Sequence, residues 1–551
     1  MSLKPQPPAP IDDAIAAWGA RHLAAASPYR LVGDTLFAQF HDADFADLYH
    51  PEGKPGLSPV LLTFVTIFQH LEKLPDRAAV TALVTRLDWK YALHRPLDDA
   101  GFDASVLVEF RHRLLDHAAE ARCFTAILTQ FQTLGLLKTR GRQRTDSTHV
   151  LGAIRALHRL ETVGETLRVA LNDLATTAPA WLATQLSADA LARYTTPFQQ
   201  WHLPQSEAAR TTLATQIGQD GGQILRACWD ASAPPELRDL SAIRLLRQVW
   251  VQQYTYDGET VGWRSSDNLP PAALAINSPH DAAARYSNKR GTIWVGYKVH
   301  LSETCDDDAP RLITNVELTP APQADTTMTQ TIHQHLAAAD HLPAQHLVDA
   351  GYVDAAHLVD SQRQYGIDLF GPTAVAPSWQ AREHTGYDAA AFHIDWIARR
   401  ATCPQGKVSR RWRSQQDGNG IPIVHITFAA DDCQDCAVRT RCTTGTRTGR
   451  QLGIREEAAF VALQAARARQ QTPEFKEQYA LRAGIEGSLS QAVRRCDLRH
   501  ARYWGLAKTR LQALFTAVAL HLTRGSAFLA GVQPVTRPGS PLAPLIAPAV
   551  A

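Results

Sequence analysis

The segment from residue 292 to 373 constrains the fold most strongly, because strand and helix patterns alternate along it. "TIWVGYKVHLSE" and "RLITNVELTPA" are rich in β-branched and aromatic residues, which is typical of adjacent strands. A helical pattern (DTTMTQTIHQHLAAA), a short strand pattern (AQHLVDAGYV), a second helical pattern (AAHLVDSQRQYG) and a last strand pattern (IDLFGPT) follow. This order predicts an α/β core in which helices pack on a mixed sheet.

An earlier strand is predicted in "KTRGRQRTDSTHV". Its basic residues alternate strictly at Lys138, Arg140, Arg142 and Arg144. Alternation with a period of two places four positive charges on one side of a strand, and Asp146 has the same parity. We therefore expect Asp146 to lie on that side, in the first strand of the core.

The composition indicates a multidomain protein of the reducing, intracellular compartment. The chain has 551 residues, of which 45% are hydrophobic and 20% charged, and a formal net charge of +2. A nucleic-acid function would therefore depend on local basic patches. We expect no signal peptide, membrane span or disulfide framework, since "MSLKPQPPAP" lacks an apolar core, "LQALFTAVALHL" is short and only eight cysteines are present.

Changes of pattern divide the chain into seven predicted segments. They are a helical N-terminal domain (1–135), the first core strand (136–150), a mainly helical insertion (151–290), the sheet core (291–375), a basic cysteine-bearing insertion (376–455), C-terminal helices (456–530) and a proline-rich disordered tail (531–551).

Three acidic residues occupy positions suited to metal chemistry. Asp146 lies in the first strand, Asp349 ends a strand beside Gly351, and Glu486 lies on a late helix. Carboxylates from two strands and a helix would form an oxygen-rich site for two Mg²⁺ or Mn²⁺ ions. Two such ions can activate water or a 3′-hydroxyl and stabilise the departing oxygen of a phosphodiester.

The chain resembles bacterial insertion-sequence transposases of the DDE class, in particular the insertion-sequence-four superfamily. The resemblance covers nearly the whole chain, through "LDWKYAL", "GFDASVL", "EFRHRLL", "TDSTHV", "GYKVHL", "LVDAGYV", "WQ", "CPQG" and "RAGIEGSLSQAVRR". It implies a ribonuclease H-like catalytic core with an N-terminal helical transposase domain. It also implies that Asp146, Asp349 and Glu486 are the catalytic, metal-binding acids. By this resemblance, segment 1–135 would be the DNA-binding and assembly domain and segment 456–530 would supply the C-terminal catalytic helices.

The superfamily signature on the late helix is matched in part. Tyr479, Arg482 and Glu486 fit its tyrosine, arginine and glutamate, whereas Val493 stands at the lysine position. Neighbouring Arg494 could supply the missing charge. Residues at offsets of 0, 3 and 7 share one helical face, so Tyr479 and Arg482 are expected to flank the metal ions and contact DNA phosphate.

Two glycines surround the glutamate in "LRAGIEGSLSQAVRRC". Gly484 and Gly487 each cost roughly 1 kcal/mol in a helix interior, so we expect DNA or another backbone to approach the helix closely there. The alternative is an ordinary amphipathic helix, in which an Arg482–Glu486 pair adds only a few tenths of a kcal/mol.

Four of the eight cysteines cluster in the basic insertion. Cys403, Cys433, Cys436 and Cys442 are separated by 29, 2 and 5 residues. This spacing predicts a closed, structural Cys₄ zinc site. Buried reduced thiols in a small β unit are the alternative interpretation.

Basic residues concentrate in two stretches. Residues 399–455 contain eleven lysines and arginines against four aspartates, a net charge of +7, and "RRCDLRHARYWGLAKTR" interleaves basic and aromatic residues. Such stripes favour contact with the phosphate backbone and stacking on bases. Arg494, Arg499 and Lys298 are further candidates for DNA contact.

The combined prediction is a DNA transposase, which would bind the terminal inverted repeats of its element, cleave DNA and transfer the 3′-ends to a target. We expect a homodimer or larger assembly on DNA, in the bacterial cytoplasm and associated with the nucleoid when bound. The alternatives are a nuclease of the same fold that never transposes and a catalytically inert DNA-binding protein.

Overall fold

The N-terminal region is helical, as the sequence predicts. The computed structural model describes residues 1–155, 157–199, 203–258, 260–289, 291–374, 378–382, 386–445 and 447–532. The first helices are α1 (Asp13–His22), α2 (Pro28–Leu31), α3 (Pro59–Leu71), α4 (Asp76–Thr85), α5 (Leu87–Ala92), α6 (Ser105–Asp116) and α7 (Arg122–Thr133). Helix α3 is buried on all sides, as its mainly apolar sequence favours.

A mainly helical unit follows the first core strand, β1 (Arg142–Leu151). Its elements are α8 (Arg159–Thr177), α9 (Pro179–Gln185), α10 (Ala188–Ala192), α11 (Glu207–Trp229), α12 (Ser241–Gln253), β2 (Tyr254–Tyr256) and β3 (Val261–Trp263). Leu167, Ile217 and Leu246 are fully buried in a core of its own.

The chain then forms the alternating elements predicted from the segment 292–373, preceded by one further strand. They are β4 (Arg285–Lys289), β5 (Thr292–Thr304), β6 (Ile313–Pro320), α13 (Thr329–Ala338), β7 (Gln345–Val348), α14 (Ala355–Tyr365) and β8 (Asp368–Phe370). The α/β core with a mixed sheet is thereby confirmed.

Strand β1 is central in this sheet. It pairs antiparallel with β5 from Gln143↔Thr304 to Leu151↔Gly296, and parallel with β7 from Arg142↔Gln345 to Thr145↔Val348. Strand β5 also pairs with β4 and β6, and β7 pairs in parallel with β8. Because β1 and β7 are parallel, the residues that directly follow their last paired positions, Thr145 and Val348, lie next to each other.

A smaller β unit lies between the sheet core and the last helices. It contains α15 (Trp379–Arg382), β9 (His393–Asp395), β10 (Arg400–Thr402), β11 (Arg411–Gln416), β12 (Pro422–Thr427), α16 (Ala430–Gln434), α17 (Arg439–Cys442) and β13 (Gln451–Arg455). Strands β11, β12 and β13 form an antiparallel sheet, and Ile426 of β12 shares the small core of this unit with Phe392 and Phe428.

The C-terminal helices return to the start of the chain. They are α18 (Glu457–Gln470), α19 (Pro473–Ala480), α20 (Gly484–Cys496) and α21 (Leu506–Leu529). Helix α21 packs between the N-terminal helices and β6, where Phe515 stacks on His70 with 5.7 Å between ring centroids. The N-terminal helices, one face of the sheet, α20 and α21 therefore share one hydrophobic core.

Two details of the sequence prediction are wrong. The single helix predicted to carry Tyr479, Arg482 and Glu486 on one face is interrupted, since a 3₁₀ turn at Leu481–Ala483 separates α19 from α20. The first strand begins at Arg142, because Arg140 adopts a left-handed conformation (φ 56°) and donates to the carbonyls of Tyr365 and Gly366. Lys138 and Arg140 are therefore not part of the basic strand face.

Two further predictions concern the C-terminal tail and the absence of a membrane span. Of the predicted disordered tail, residues 533–551 lie outside the described residues. Among the helices that the structure describes, none is sufficiently long and apolar to cross a membrane.

Candidate active site

Asp146 lies in the middle of β1, with its side chain 13% exposed. Its Oδ1 accepts a hydrogen bond of 2.7 Å from the backbone N–H of Ser147. Strand β1 is paired with β5 at Asp146 itself and with β7 as far as the preceding Thr145, so the carboxylate occupies a rigid position in the central sheet.

Asp349 directly follows β7, one position beyond the pairing of Thr145 with Val348. The parallel register therefore places it next to Asp146. Its Oδ1 accepts from the N–H of Gly351 at 2.8 Å and caps the 3₁₀ turn Ala350–Tyr352. A Cβ at Gly351 would lie only 2.9 Å from that oxygen, which explains the glycine.

Glu486 lies in the first turn of α20, with its side chain 67% exposed. Helix α20 packs against β1, the strand that carries Asp146. The 3₁₀ turn before α20 changes the helical path between Tyr479 and Glu486, yet Arg482 and Glu486 still contact each other at 3.4 Å.

The guanidinium of Arg482 joins the three acids. Its Nη2 lies 2.6 Å from Oδ2 of Asp146 and 3.9 Å from Oδ2 of Asp349, and its Nη1 lies 3.4 Å from Oε1 of Glu486. The Arg482 side chain is only 14% exposed. All three acids therefore converge on one cation, and Arg482 faces carboxylates instead of open solvent.

Burial dominates the electrostatics of this site. Desolvation raises the pKa of the Asp146 carboxyl, and the negative charge of Asp349 acts in the same direction. The Arg482 cation and the Ser147 N–H oppose that shift. A buried carboxylate with a second carboxylate beside it requires a cation nearby, which Arg482 supplies.

The donor chemistry fits a divalent cation. The acids offer hard oxygen ligands, which Mg²⁺ and Mn²⁺ prefer, around a point already held by a positive charge. Within the described part of the chain, no three His, Cys, Asp or Glu side chains are grouped closely enough to hold a metal ion as they stand. Binding a cation would thus require the side chains to close in as Arg482 leaves.

Tyr479, a predicted DNA contact, is half-buried near the acids. Its ring stacks on Phe475 with 5.5 Å between ring centroids. Burial raises the pKa of its phenol, and the nearby acids add to that shift.

Lys298, another predicted DNA contact, is engaged inside the protein. Its ammonium donates to the Gln323 carbonyl at 2.6 Å and to Oδ1 of Asp325 at 2.7 Å, and its side chain is 12% exposed. This arrangement does not support a phosphate contact.

Asp325 is a fourth acid beside the site that sequence reasoning missed. It accepts from the Ser147 hydroxyl at 3.4 Å, and its Oδ2 lies 3.4 Å from the position of a Cβ on Gly351. No spacing in the sequence singles it out, because its neighbours come from β1, β5 and the turn after β7.

A basic groove runs along α20 from the acids. We call it the α20 groove, and it is lined by Gly487, Ser490, Gln491, Arg494 and Arg495. Arg494 also lines the adjoining cleft, together with Asp146, Glu486 and Arg499.

Gly487 and Arg499 differ in how accessible they are to a ligand in this region. A Cβ at Gly487 would meet nothing within 4 Å, so the backbone of α20 is open to a ligand there. Arg499 is partly committed, since its Nη1 donates to the His149 carbonyl at 2.9 Å.

The four predicted zinc ligands line one pocket in the small β unit, although they come from three separate places in the chain. They are Cys403, Cys433, Cys436 and Cys442, all partly exposed free thiols. Burial raises the pKa of Cys442, and the other three thiols add to that shift, which reflects their proximity.

Comparison with known families gives two matches. A transposase DDE domain matches residues 402–524, and a transposase domain (DUF772) matches residues 20–113. The first region contains Glu486 and the four cysteines, and the second lies in the N-terminal helices; Asp146 and Asp349 are outside both. No curated protein and no solved structure matches the chain.

Replacing Arg482 tests whether its guanidinium competes with metal ions. We expect Arg482→Ala to lower the free energy of unfolding of the metal-free protein by about 1.5–3 kcal/mol, because the largely buried Asp146 carboxylate loses its charged partner. Mn²⁺ should then raise the melting temperature more in the variant than in the wild type.

Thermal unfolding with and without Mn²⁺ measures both effects. Arg482→Lys keeps the charge, so its metal-free stability and its Mn²⁺-induced shift in melting temperature should both lie between those of the wild type and Arg482→Ala. An equal Mn²⁺-induced shift in wild type and Arg482→Ala would show that the guanidinium does not occupy the cation position.

Proposed function

We propose that this chain, a DDE transposase of the insertion-sequence type, cleaves DNA at the ends of its element and joins the 3′-ends to a target. The observation that carries the proposal is the convergence of Asp146, Asp349 and Glu486 on one guanidinium, beside a basic groove. The narrower assignments, to the insertion-sequence-four superfamily and to a ribonuclease H-like core, remain part of the proposal. The mixed sheet with Asp146 on its central strand supports the assignment of a ribonuclease H-like core.

The three acids would hold the divalent cations. Mg²⁺ or Mn²⁺ would supply activation of the attacking water or 3′-hydroxyl and neutralisation of the departing oxygen. Asp146 and Asp349 are fixed by the sheet, whereas Glu486 is carried by a helix on its face. Arg482, once separated from the acids, would remain close enough to contact the phosphate that is cleaved.

The α20 groove would bind the DNA backbone leading to that phosphate. Arg494 and Arg495 provide positive charge, Ser490 and Gln491 provide hydrogen-bonding groups, and Gly487 leaves the helix backbone accessible. Phosphate contacts of this kind set position and affinity without reading sequence. Recognition of the terminal repeats would then depend on other surfaces.

A structural zinc ion in the small β unit is a further part of the proposal. The support is that the four thiols line one pocket and are the ligand type of closed tetrahedral zinc sites. Among the described residues they do not yet stand close enough to hold a metal ion, so zinc would have to draw them together. The zinc would hold β10 and the two short helices α16 and α17 together. It would take no part in the cleavage reaction.

Neutral substitutions of the acids test the catalytic proposal. We expect Asp146→Asn, Asp349→Asn and Glu486→Gln each to reduce DNA cleavage by more than about 100-fold, since loss of a group outside the ligand shell already costs 10–100-fold. The losses should not add in double variants, because the carboxylates serve shared ions. Cleavage of a DNA carrying the element end is measured with Mg²⁺ or Mn²⁺, beside binding of the same DNA.

Asp360→Asn on α14 is the matched control, with the same chemical change outside the site. If Glu486→Gln cuts like wild type while Asp360→Asn does not, the assignment of the triad is wrong. If the DNA is bound but never cut by any of these proteins, a catalytically inert DNA-binding protein is the better description. Cutting without end joining would indicate a nuclease.

Charge reversal in the α20 groove tests the DNA path. We expect Arg494→Glu and Arg495→Glu each to weaken DNA binding and to reduce the slope of log K against log salt concentration by about one. Titrations at several salt concentrations measure the slope. Lys138→Glu, a change before the N-terminal end of β1, is the control and should leave the slope unchanged. If the arginine variants do not affect the slope, the DNA interface lies elsewhere, such as on the N-terminal helices.

Metal analysis tests the zinc proposal. Protein purified without chelators should contain about one zinc per chain, and Cys436→Ser should remove it and lower the melting temperature. Cys305→Ser, a substitution of a buried cysteine outside the cluster, should keep the zinc. Wild-type protein without zinc would support the alternative of packed, reduced thiols.

A further inference from the structure

Three charged side chains lie together between the central sheet and the C-terminal helices, two of them buried and the third, Arg524, 14% exposed. Arg144 on β1 is 2% exposed, and it lies opposite Glu303 of β5, which is 0% exposed. Arg144 Nε donates to Glu303 Oε1 at 2.8 Å, and Arg524 of α21 donates from Nη1 to Glu303 Oε2 at 3.0 Å. One buried carboxylate thus binds two guanidinium groups from different elements, and we call this set the Arg144–Glu303–Arg524 triad.

Both arginines of the triad use further donors to bind α20 and the turn before it. Arg144 Nη1 donates to the carbonyl of Leu481 in the 3₁₀ turn. Arg524 Nη2 donates to the Ser488 hydroxyl at 2.8 Å and to Oε1 of Gln491 at 2.9 Å. These contacts hold the helix before and after Glu486.

Gly484 shows how closely the first of these contacts fits. A Cβ at Gly484 would lie 2.6 Å from Cζ of Arg144, so the guanidinium occupies the space that a side chain would need. Gly487, one turn later, would accept a Cβ without any neighbour within 4 Å. Packing inside the protein therefore explains why residue 484 is a glycine, but it does not explain the glycine at position 487.

Glu486 has little else to fix its position. Its side chain is 67% exposed, and the contact described for it is with Arg482, which also binds the other two acids. Its distance from Asp146 must therefore be set by the backbone of α20. Arg144 and Asp146 are two residues apart on β1 and share one face of the strand, so the group that binds α20 and the acid that Glu486 must meet belong to the same rigid element.

We propose that the Arg144–Glu303–Arg524 triad positions α20 so that Glu486 can share metal ions with Asp146 and Asp349. The inference rests on the proposed function, since it takes Glu486 as a metal ligand. The triad is a set of positioning residues: it touches neither metal nor DNA, and acts through the backbone of α20. A purely structural triad would stabilise the fold without affecting metal affinity, which makes the two roles separable.

The first experiment removes the three charges together. A single substitution would leave an unpaired buried charge, whereas replacing a whole buried ionic triad by apolar residues is often neutral or stabilising. We expect Arg144→Met/Glu303→Met/Arg524→Met to keep a melting temperature close to wild type in the absence of metal. Its affinity for Mn²⁺ should fall by about 10-fold or more, because loss of groups that orient metal ligands has an effect of this size. The electron paramagnetic resonance signal of free Mn²⁺ measures this affinity. Wild-type Mn²⁺ affinity in the folded triple variant would overturn the proposal.

The second experiment keeps the triad and moves the helix. We expect Gly484→Ala to weaken Mn²⁺ binding by about 10-fold, because its Cβ displaces α20 from the Arg144 guanidinium. Gly487→Ala, the matched change on the open face of the same helix, should leave Mn²⁺ affinity and melting temperature as in wild type. Equal Mn²⁺ affinities in the two alanine variants would overturn the proposal even if the triple variant fails to fold.

A third variant separates this inference from the proposed function. Glu486→Gln should lose Mn²⁺ affinity if Glu486 is a ligand. Lost affinity in Glu486→Gln, together with wild-type affinity in Gly484→Ala, would overturn the positioning role and leave the catalytic assignment intact. Unchanged affinity in Glu486→Gln would overturn both.

Discussion

The pairing of β1 on both sides is the constraint on which the rest of this structure depends. The antiparallel pairing with β5 and the parallel pairing with β7 fix the strand that carries Arg144 and Asp146. The register with β7 brings Asp349 next to Asp146, and the register with β5 brings Glu303 opposite Arg144. A slip of one residue would turn every side chain of β1 to the other face and remove both the acid site and the support of α20.

The sequence predicted the sheet elements well, because their patterns are local. Strands with β-branched and aromatic residues, and helices with apolar spacing, were recognised from residue 292 to 373, while the edge strand β4 was missed. The late helix was predicted as continuous, since nothing nearby in the sequence interrupts it at Leu481. The contact of that carbonyl with Arg144 joins residues 337 positions apart, and no local pattern contains this information.

The candidate site was predicted in its acids but not in its arrangement. Resemblance to transposases singled out Asp146, Asp349 and Glu486, and the structure brings all three to Arg482. The environment of the basic residues could not be foreseen: Arg144 is buried in an ion pair, and Lys298 is bound to Asp325. A positive residue in a sequence can bind DNA or neutralise a neighbouring acid, and only the tertiary contacts distinguish the two.

Helix α21 has a consequence for how the protein is made. The ribosome produces the N-terminal helices first, yet the apolar surface that they share with Phe515 and its neighbours is covered only by residues 506–529. During most of its synthesis the chain therefore carries an incomplete core, which is a surface that chaperones bind and that promotes aggregation. A product of premature termination would lack the covering helix as well as Arg524.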